Sequence, residues 1–153
     1  MVALKMSQAS VELLLFTFAA LFCGLLLFVA DVLQRIFNDM DTAAFARFMP
    51  LLYKRAGYSP FVLASTIVPF FGMFVYLIFF GFDNIIFVAG LVIFAIGITV
   101  AKQINGPLYR QIMDADPSDS SYLTGKRKRL QVANISRAAI AVAGLVVMYF
   151  GLI

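Results

Sequence analysis

The sequence predicts an all-α fold, an integral membrane four-helix bundle, and three observations lead there. Hydrophobic residues make up 63% of the chain and charged ones only 13%, with a mean hydropathy of +0.96; a soluble domain carries about a quarter charged residues. Apolar runs of spanning or near-spanning length are separated by short polar stretches. The cations collect in two of those stretches instead of spreading over the chain. Length allows one transmembrane domain, 1-153, with spans at about 11-33, 58-81, 84-104 and 132-153.

Met1 to Ser10 is mildly polar, with Lys5 its only charge. Leu13 to Ala30 is an uncharged run of 18 residues between Glu12 and Asp31. It is long for the apolar region of a signal peptide, and no small-x-small cleavage site follows, so it reads as the first transmembrane helix. Asn38-Asp39-Met40-Asp41-Thr42 is a turn with helix-capping residues. Beyond it Phe45, Phe48, Met49 and Leu52 recur at helical spacing, while Arg47, Lys54 and Arg55 fall off that stripe. Two readings stand there: an interfacial amphipathic helix whose regularity Pro50 limits, or an extension of the first helix and its loop.

The next run, Ala56 to Phe82, has 27 uncharged residues. Pro60 suits a helix start, and Pro69 lies inside, where it should kink the helix. Gly81-Phe82-Asp83-Asn84 leaves room only for a hairpin turn. Asn84 to Ala101 is the third span, with Gly90 and Gly97 on one face where another helix can approach closely. Asp114 to Ser121 is a soluble loop, followed by Lys126-Arg127-Lys128-Arg129. The last run, Ala138 to Ile153, is 16 residues; a helix begun near Tyr122 can enter through Asn134 with Arg137 snorkelling to the headgroups. Gly144 and Gly151 again share a face.

Orientation follows from charge. Arg35, Arg47, Lys54 and Arg55 lie in one loop, and Lys102, Arg110 and Lys126 to Arg129 in another; the opposite side has only Lys5. The positive-inside rule makes the basic loops 35-55 and 102-129 cytoplasmic and places both termini outside. The net charge of +4 therefore reads as topology, with the lipid bilayer as partner and no nucleic acid. A bacterial inner membrane is the default location.

Few chemistries fit the composition. With no histidine and one cysteine, Cys23, the chain cannot form an internal disulfide, a Cys/His zinc or iron–sulfur site, a His-ligated haem or a His-dependent triad. No metal and no cofactor are expected, and Cys23 reads as a packing residue. Tyr53, Tyr58, Tyr76, Tyr122 and Tyr149 fit interface belts or helix contacts. Most of the chemically distinctive residues gather where the third span ends and the fourth begins. Asn105, Pro107, Tyr109 and Arg110 end one helix; Asn134 and Arg137, on one face, open the next. Asp31, at the same end of the first helix, is the natural partner of Arg137 or Arg110. These seven residues form a candidate polar cluster, readable as a pocket or as interfacial anchoring. Lys126, Arg127, Lys128 and Arg129 read as lipid-facing cations. Glu12 precedes the apolar run and reads as a helix-start carboxylate at headgroup level, with a proton-exchanging group as the alternative.

The order of parts resembles a family of small four-helix membrane proteins, a domain of unknown function to which fungal anthrone oxygenases are assigned. The likeness rests on Phe22-Cys23-Gly24-Leu25, on the amphipathic stretch Phe45 to Tyr58, on Asn105-Gly106-Pro107-Leu108-Tyr109 against an Asn-x-Pro-x-Asn motif, and on Asn134-Ile135-Ser136-Arg137 against Asn-x-x-Arg. Tyr109 stands where that motif has its second Asn, and the aromatic usual before Asn134 is absent. The resemblance implies a cofactor-independent oxygenase of an electron-rich phenol. Three functional readings follow. The first is a structural or accessory subunit, or scaffold, of a membrane complex, meeting other membrane subunits or itself through the Gly-bearing faces. The second is an oxygenase-like or hydrophobic-ligand-binding protein using Asn105, Tyr109, Asn134 and Arg137. The third is a proton-coupled exporter centred on Glu12.

Overall fold

Every helix starts at a side chain written for that purpose. Ser7, Asp41, Ser59, Asn84 and Asp119 each accept a hydrogen bond from a backbone N–H three residues on, or at Ser10, Ala44, Val62, Phe87 and Tyr122. Such caps satisfy donors that the first helical turn leaves open. The computed structural model describes residues 7–153. Lys5, the one cation expected opposite the basic loops, lies outside them.

The helices so defined are α1 (Gln8–Asp39), α2 (Thr42–Gly57), α3 (Pro60–Phe80), α4 (Ile85–Met113) and α5 (Ser120–Leu152). A π-helical turn at Val29–Leu33 interrupts α1. Among the described residues α1, α3, α4 and α5 are each long and apolar enough to cross a membrane. Between α3 and α4 the chain reverses at Gly81, whose φ of 57° only glycine adopts readily. Asp116 in the α4–α5 loop accepts from the Ser118 N–H and hydroxyl, which holds its carboxyl below the usual range.

Three helices outrun the spans read from the sequence. Beyond the expected span at 84-104, α4 continues as a helix through Pro107 to Met113. Pro107 removes one N–H, but Leu108 and Ile112 are buried beyond it and no turn residue follows until Asp114. Helix α5 begins at Ser120, well before the expected span at 132, and α1 runs on to Asp39. At 1.5 Å per residue, α3 is about 32 Å long while α4 and α5 reach about 44 and 50 Å, against a hydrocarbon core of about 30 Å. The chain also stays helical through Pro69 and Pro50.

The surplus length carries a second core. The first unites α1, α3, α4 and α5 around Leu15, Phe22, Tyr76, Phe87, Phe94 and Met148. The second joins Phe37, Phe45, Met49, Ile112, Leu123 and Leu130. Helix α2 supplies Phe45 and Met49 to it, with Phe48 and Leu52 half-buried at its edge and Arg47, Lys54 and Arg55 facing out. The predicted stripe is thus the buried one, and of the two readings the separate amphipathic helix is correct. Arg127 fastens it. Its guanidinium donates to the carbonyls of Met40 (2.9 Å), Asn38 (3.2 Å) and Asp41 (3.5 Å) and lies over the Phe45 ring. Arg127 is therefore not a lipid-facing cation, because it satisfies the carbonyls that the end of α1 leaves open. Lys126 is half-buried and bonds Gln111 (2.7 Å); Lys128 and Arg129 are exposed.

The glycine faces close on one another. A Cβ on Gly144 would meet the Phe94 N at 2.7 Å and the Gly90 carbonyl at 2.9 Å, and one on Gly151 would meet the Phe87 N at 2.6 Å. Gly97 lies against Ile140 and Ala141. The faces read as attachment surfaces for a partner are consumed inside the chain, in the α4–α5 contact.

Gly144→Val should push α4 and α5 apart and cost about 1–3 kcal/mol, the usual range for overpacking. Gly125→Ala, where the added Cβ meets nothing within 4 Å, should be neutral or stabilise by about 0.5–1 kcal/mol. Thermal unfolding in mild detergent, followed by circular dichroism, separates the two. Arg127→Met keeps the stem on Phe45 but removes the carbonyl bonds. It should raise hydrogen exchange across residues 38–45 by the equivalent of about 1.5–3 kcal/mol, leaving exchange in the first core unchanged.

Candidate functional site

Between the two cores lies a layer of amides. Asn105 on α4 and Asn134 on α5 are buried, and Asn105 Nδ2 donates to Asn134 Oδ1 at 3.1 Å. Asn134 Nδ2 donates in turn to Gln34 Oε1 on α1 (3.2 Å), and Gln34 Nε2 to Asn38 Oδ1 (3.1 Å). Asn38 Nδ2 reaches Gln131 Oε1 at a long 3.4 Å. The polarity of this chain has a cause. Arg137 can only donate, and it gives Nη2 to Asn134 Oδ1 at 3.4 Å. That fixes Asn134 as acceptor on this side, so Asn105 must also donate to it, and its own carbonyl is left over. Asn105 Oδ1 and Arg137 Nε are both buried without a hydrogen-bond partner among the described residues.

The expected cluster is thus partly assembled. Asn105, Asn134 and Arg137 come together. Tyr109 is half-buried beside Asn105 and Arg137 and packs its ring on Tyr53 at 5.3 Å. Pro107 and Arg110 are exposed. Asp31 does not join: it pairs with Arg35 at 2.7 Å, one turn along the same helix, and both side chains are largely exposed. The local i,i+4 partner is reached without crossing between helices. Its expected place is taken by Gln34. That residue was legible in principle, since Gln34 and Phe37 are three apart and share a face.

A groove of about 600 Å³ opens beside this layer between α4 and α5. Val100, Ile104, Leu108 and Val132 make its apolar walls; Lys128 and Arg129 line one end, and Asn105 and Arg137 lie further along toward Val100. It is open to the surroundings, not a closed cavity.

At the opposite end of the first core stands a second polar group. Glu12, one turn into α1, is buried among neighbouring helices, being only 6% exposed. Its Oε1 accepts from the Tyr76 hydroxyl (2.5 Å), Gln8 Nε2 (3.0 Å) and Asn84 Nδ2 (3.0 Å). Asn84 also donates to the Gly151 carbonyl at 2.7 Å. Three donors aimed at one oxygen make a burial that would be prohibitive for a bare carboxylate tolerable. Gln8 and Glu12 at i,i+4, with a lone tyrosine deep in the third helix's run, were the available signal. Cys23 is buried in the first core, as its reading as a packing residue required, while Tyr58, Tyr122 and Tyr149 are exposed.

The fold and these two polar layers define a class: an all-helical protein with four helices long and apolar enough to cross a membrane, which is compatible with an integral membrane protein. No family model, curated protein or solved structure matches the chain.

Asn134→Leu strands the Asn105 amide and the Gln34 carbonyl together and should cost about 1–3 kcal/mol for each group left unsatisfied. Asn38→Ala, at the exposed end of the same chain, should cost less than about 1 kcal/mol. Denaturant titration of the two variants against wild type in detergent checks the difference.

Proposed function

We propose that the chain is an integral membrane protein, a four-helix bundle, that binds a hydrophobic ligand in the α4–α5 groove. One observation carries this reading: Asn105 and Arg137 are both among the residues lining the groove, and Asn105 Oδ1 and Arg137 Nε are buried without a hydrogen-bond partner among the described residues. Leaving a buried acceptor and donor open costs about 1–3 kcal/mol each, and a ligand that meets both recovers it. In this reading the basic loops 35-55 and 102-129 face the cytoplasm, the termini lie outside, and a bacterial inner membrane is the setting. Oxygenase-like chemistry would use the same groove and residues, with binding as its first requirement.

A second reading, an accessory subunit or scaffold, has its own observation. Helix α3 packs chiefly on α1 and turns Phe71, Phe74 and Phe79 outward. With the glycine faces engaged internally, that aromatic face is what a partner subunit would meet. The exporter reading would centre on Glu12, whose Oε1 takes three donors.

Binding is measured with an environment-sensitive fatty probe on the purified protein. Wild type should bind it, and Val132→Trp, which fills the groove mouth, should weaken binding about tenfold, equivalent to about 1.4 kcal/mol, with helix content unchanged. Equal binding by both proteins would sink the ligand reading. Stoichiometric recovery of a larger complex from native membranes, lost on Phe74→Ala and Phe79→Ala, would establish the subunit reading instead.

A further inference from the structure

We infer that α3 is a hinged arm. Its first two turns, Pro60 to Ile67, swing about Pro69 while its other half stays fixed at Tyr76, and the swing sets the width of an apolar groove between α3 and α4.

The two halves of α3 are held differently. Tyr76 is buried, and its hydroxyl donates to Glu12 at 2.5 Å and accepts from Gln8 at 2.9 Å. Met73 and Tyr76 belong to the first core, with Phe70, Leu77 and Phe80 packed against it. Among the described residues, none from 60 to 67 belongs to either core. Ser65 is the one buried position in that stretch, and its hydroxyl is spent on the Phe61 (2.7 Å) and Val62 (3.2 Å) carbonyls of its own helix. The amide layer that ties α1, α4 and α5 at this end does not reach α3. A segment with few buried apolar contacts opens at lower free energy than one inside a core.

The helix is also soft where the halves meet. Pro69 has no N–H for the Ser65 carbonyl, and its ring crowds that carbonyl. One turn earlier, the Ser65 and Thr66 hydroxyls both bond carbonyls four residues back, Thr66 to Val62 at 2.7 Å, in competition with the backbone N–H groups. A helix bends most readily at such a place.

The groove beside the hinge receives the motion. It holds about 360 Å³, with Phe70, Met73 and Phe74 on one wall and Val92, Ile96 and Val100 on the other. The Gly81 turn joins these two helices at one end, and the polar link between them among the described residues, Glu12 accepting from Tyr76 and Asn84, lies at that same end. Only Tyr58 and Ser59 separate α3 from α2, so the free end of the arm travels with the end of α2. Neither wall of the α4–α5 groove belongs to α3, so the device stands independently of ligand binding there.

The test combines hydrogen exchange with distance measurements on the full chain in nanodiscs. Residues 61–68 and 72–79 lie at matching distances from the ends of α3, so depth alone treats them alike; the first set should exchange about tenfold faster. Spin labels on Leu63→Cys and Ile104→Cys should give a broader distance distribution than labels on Ile78→Cys and Ile86→Cys, all four sites being exposed and the background carrying Cys23→Ala. Pro69→Ala, which restores the missing N–H, should slow exchange in 61–68 and narrow the first distribution. Tyr76→Phe, which removes the pin, should broaden the second. Equal exchange in the two halves, or equal widths for the two pairs, would overturn the arm. Unequal halves that Pro69→Ala leaves unchanged would overturn the hinge. If that variant does not fold, Ser65→Ala with Thr66→Ala makes the same test, since freeing the carbonyls should stiffen the same turn. No broadening on Tyr76→Phe would overturn the pin.

Discussion

The polar half of the molecule depends on how closely α4 approaches α5. In a bilayer, apolar side chains gain little by leaving lipid for one another, so helices associate through tight packing and small residues. Here Gly90, Gly144 and Gly151 bring backbone against backbone, since a single Cβ at any of them would meet main-chain atoms of the other helix. Further along the same pair, beyond Gly97, the two helices are still near enough for Asn105 to reach Asn134 at 3.1 Å. Without the glycine seam there would be no amide contact, and without that contact no directed chain and no unpartnered carbonyl beside Arg137.

Two polar layers then fix what the apolar core alone leaves loose. Dispersion is indifferent to small sliding of one helix along another, but hydrogen bonds in a low-dielectric interior are not. The Glu12 layer ties α1 to α3 through Tyr76, to α4 through Asn84, and, through the second bond of Asn84, to the end of α5. The amide layer ties α1, α4 and α5 at the other end. Helix α3 belongs only to the first layer, so it is pinned at one end and otherwise held by packing.

The parts of this fold that could be read from the sequence are those governed by short-range rules. Ser59, Pro60, Gly81 and the Asn38–Thr42 turn mark boundaries because caps and turns depend on neighbours in sequence. The Phe45–Leu52 stripe faced inward as its spacing required. What escaped was whatever depended on another helix. The burial of Glu12 was not legible because its three donors come from residues 8, 76 and 84, of which only Gln8 is near in sequence. Asp31 looked like an interhelical partner because charge pairs attract at any sequence separation, yet Arg35 was one turn away. The lengths of α4 and α5 escaped for another reason: hydropathy locates what lies in the membrane and is silent about a helix that continues beyond it.

The π-helical turn at Val29–Leu33 has a consequence for how α1 is written. Upstream, Leu15, Ala19, Phe22, Cys23 and Leu26 are buried at regular helical spacing; downstream, the buried positions are Gln34 and Phe37. In an uninterrupted α-helix Gln34 would sit about 80° from the Leu26 face, since each residue turns the chain by about 100°. The wider turn absorbs about one residue and brings Gln34 round to Asn134. The slip therefore serves Gln34, while Phe37, which would lie about 20° from the Leu26 face in an uninterrupted helix, is turned away from that face and packs in the second core.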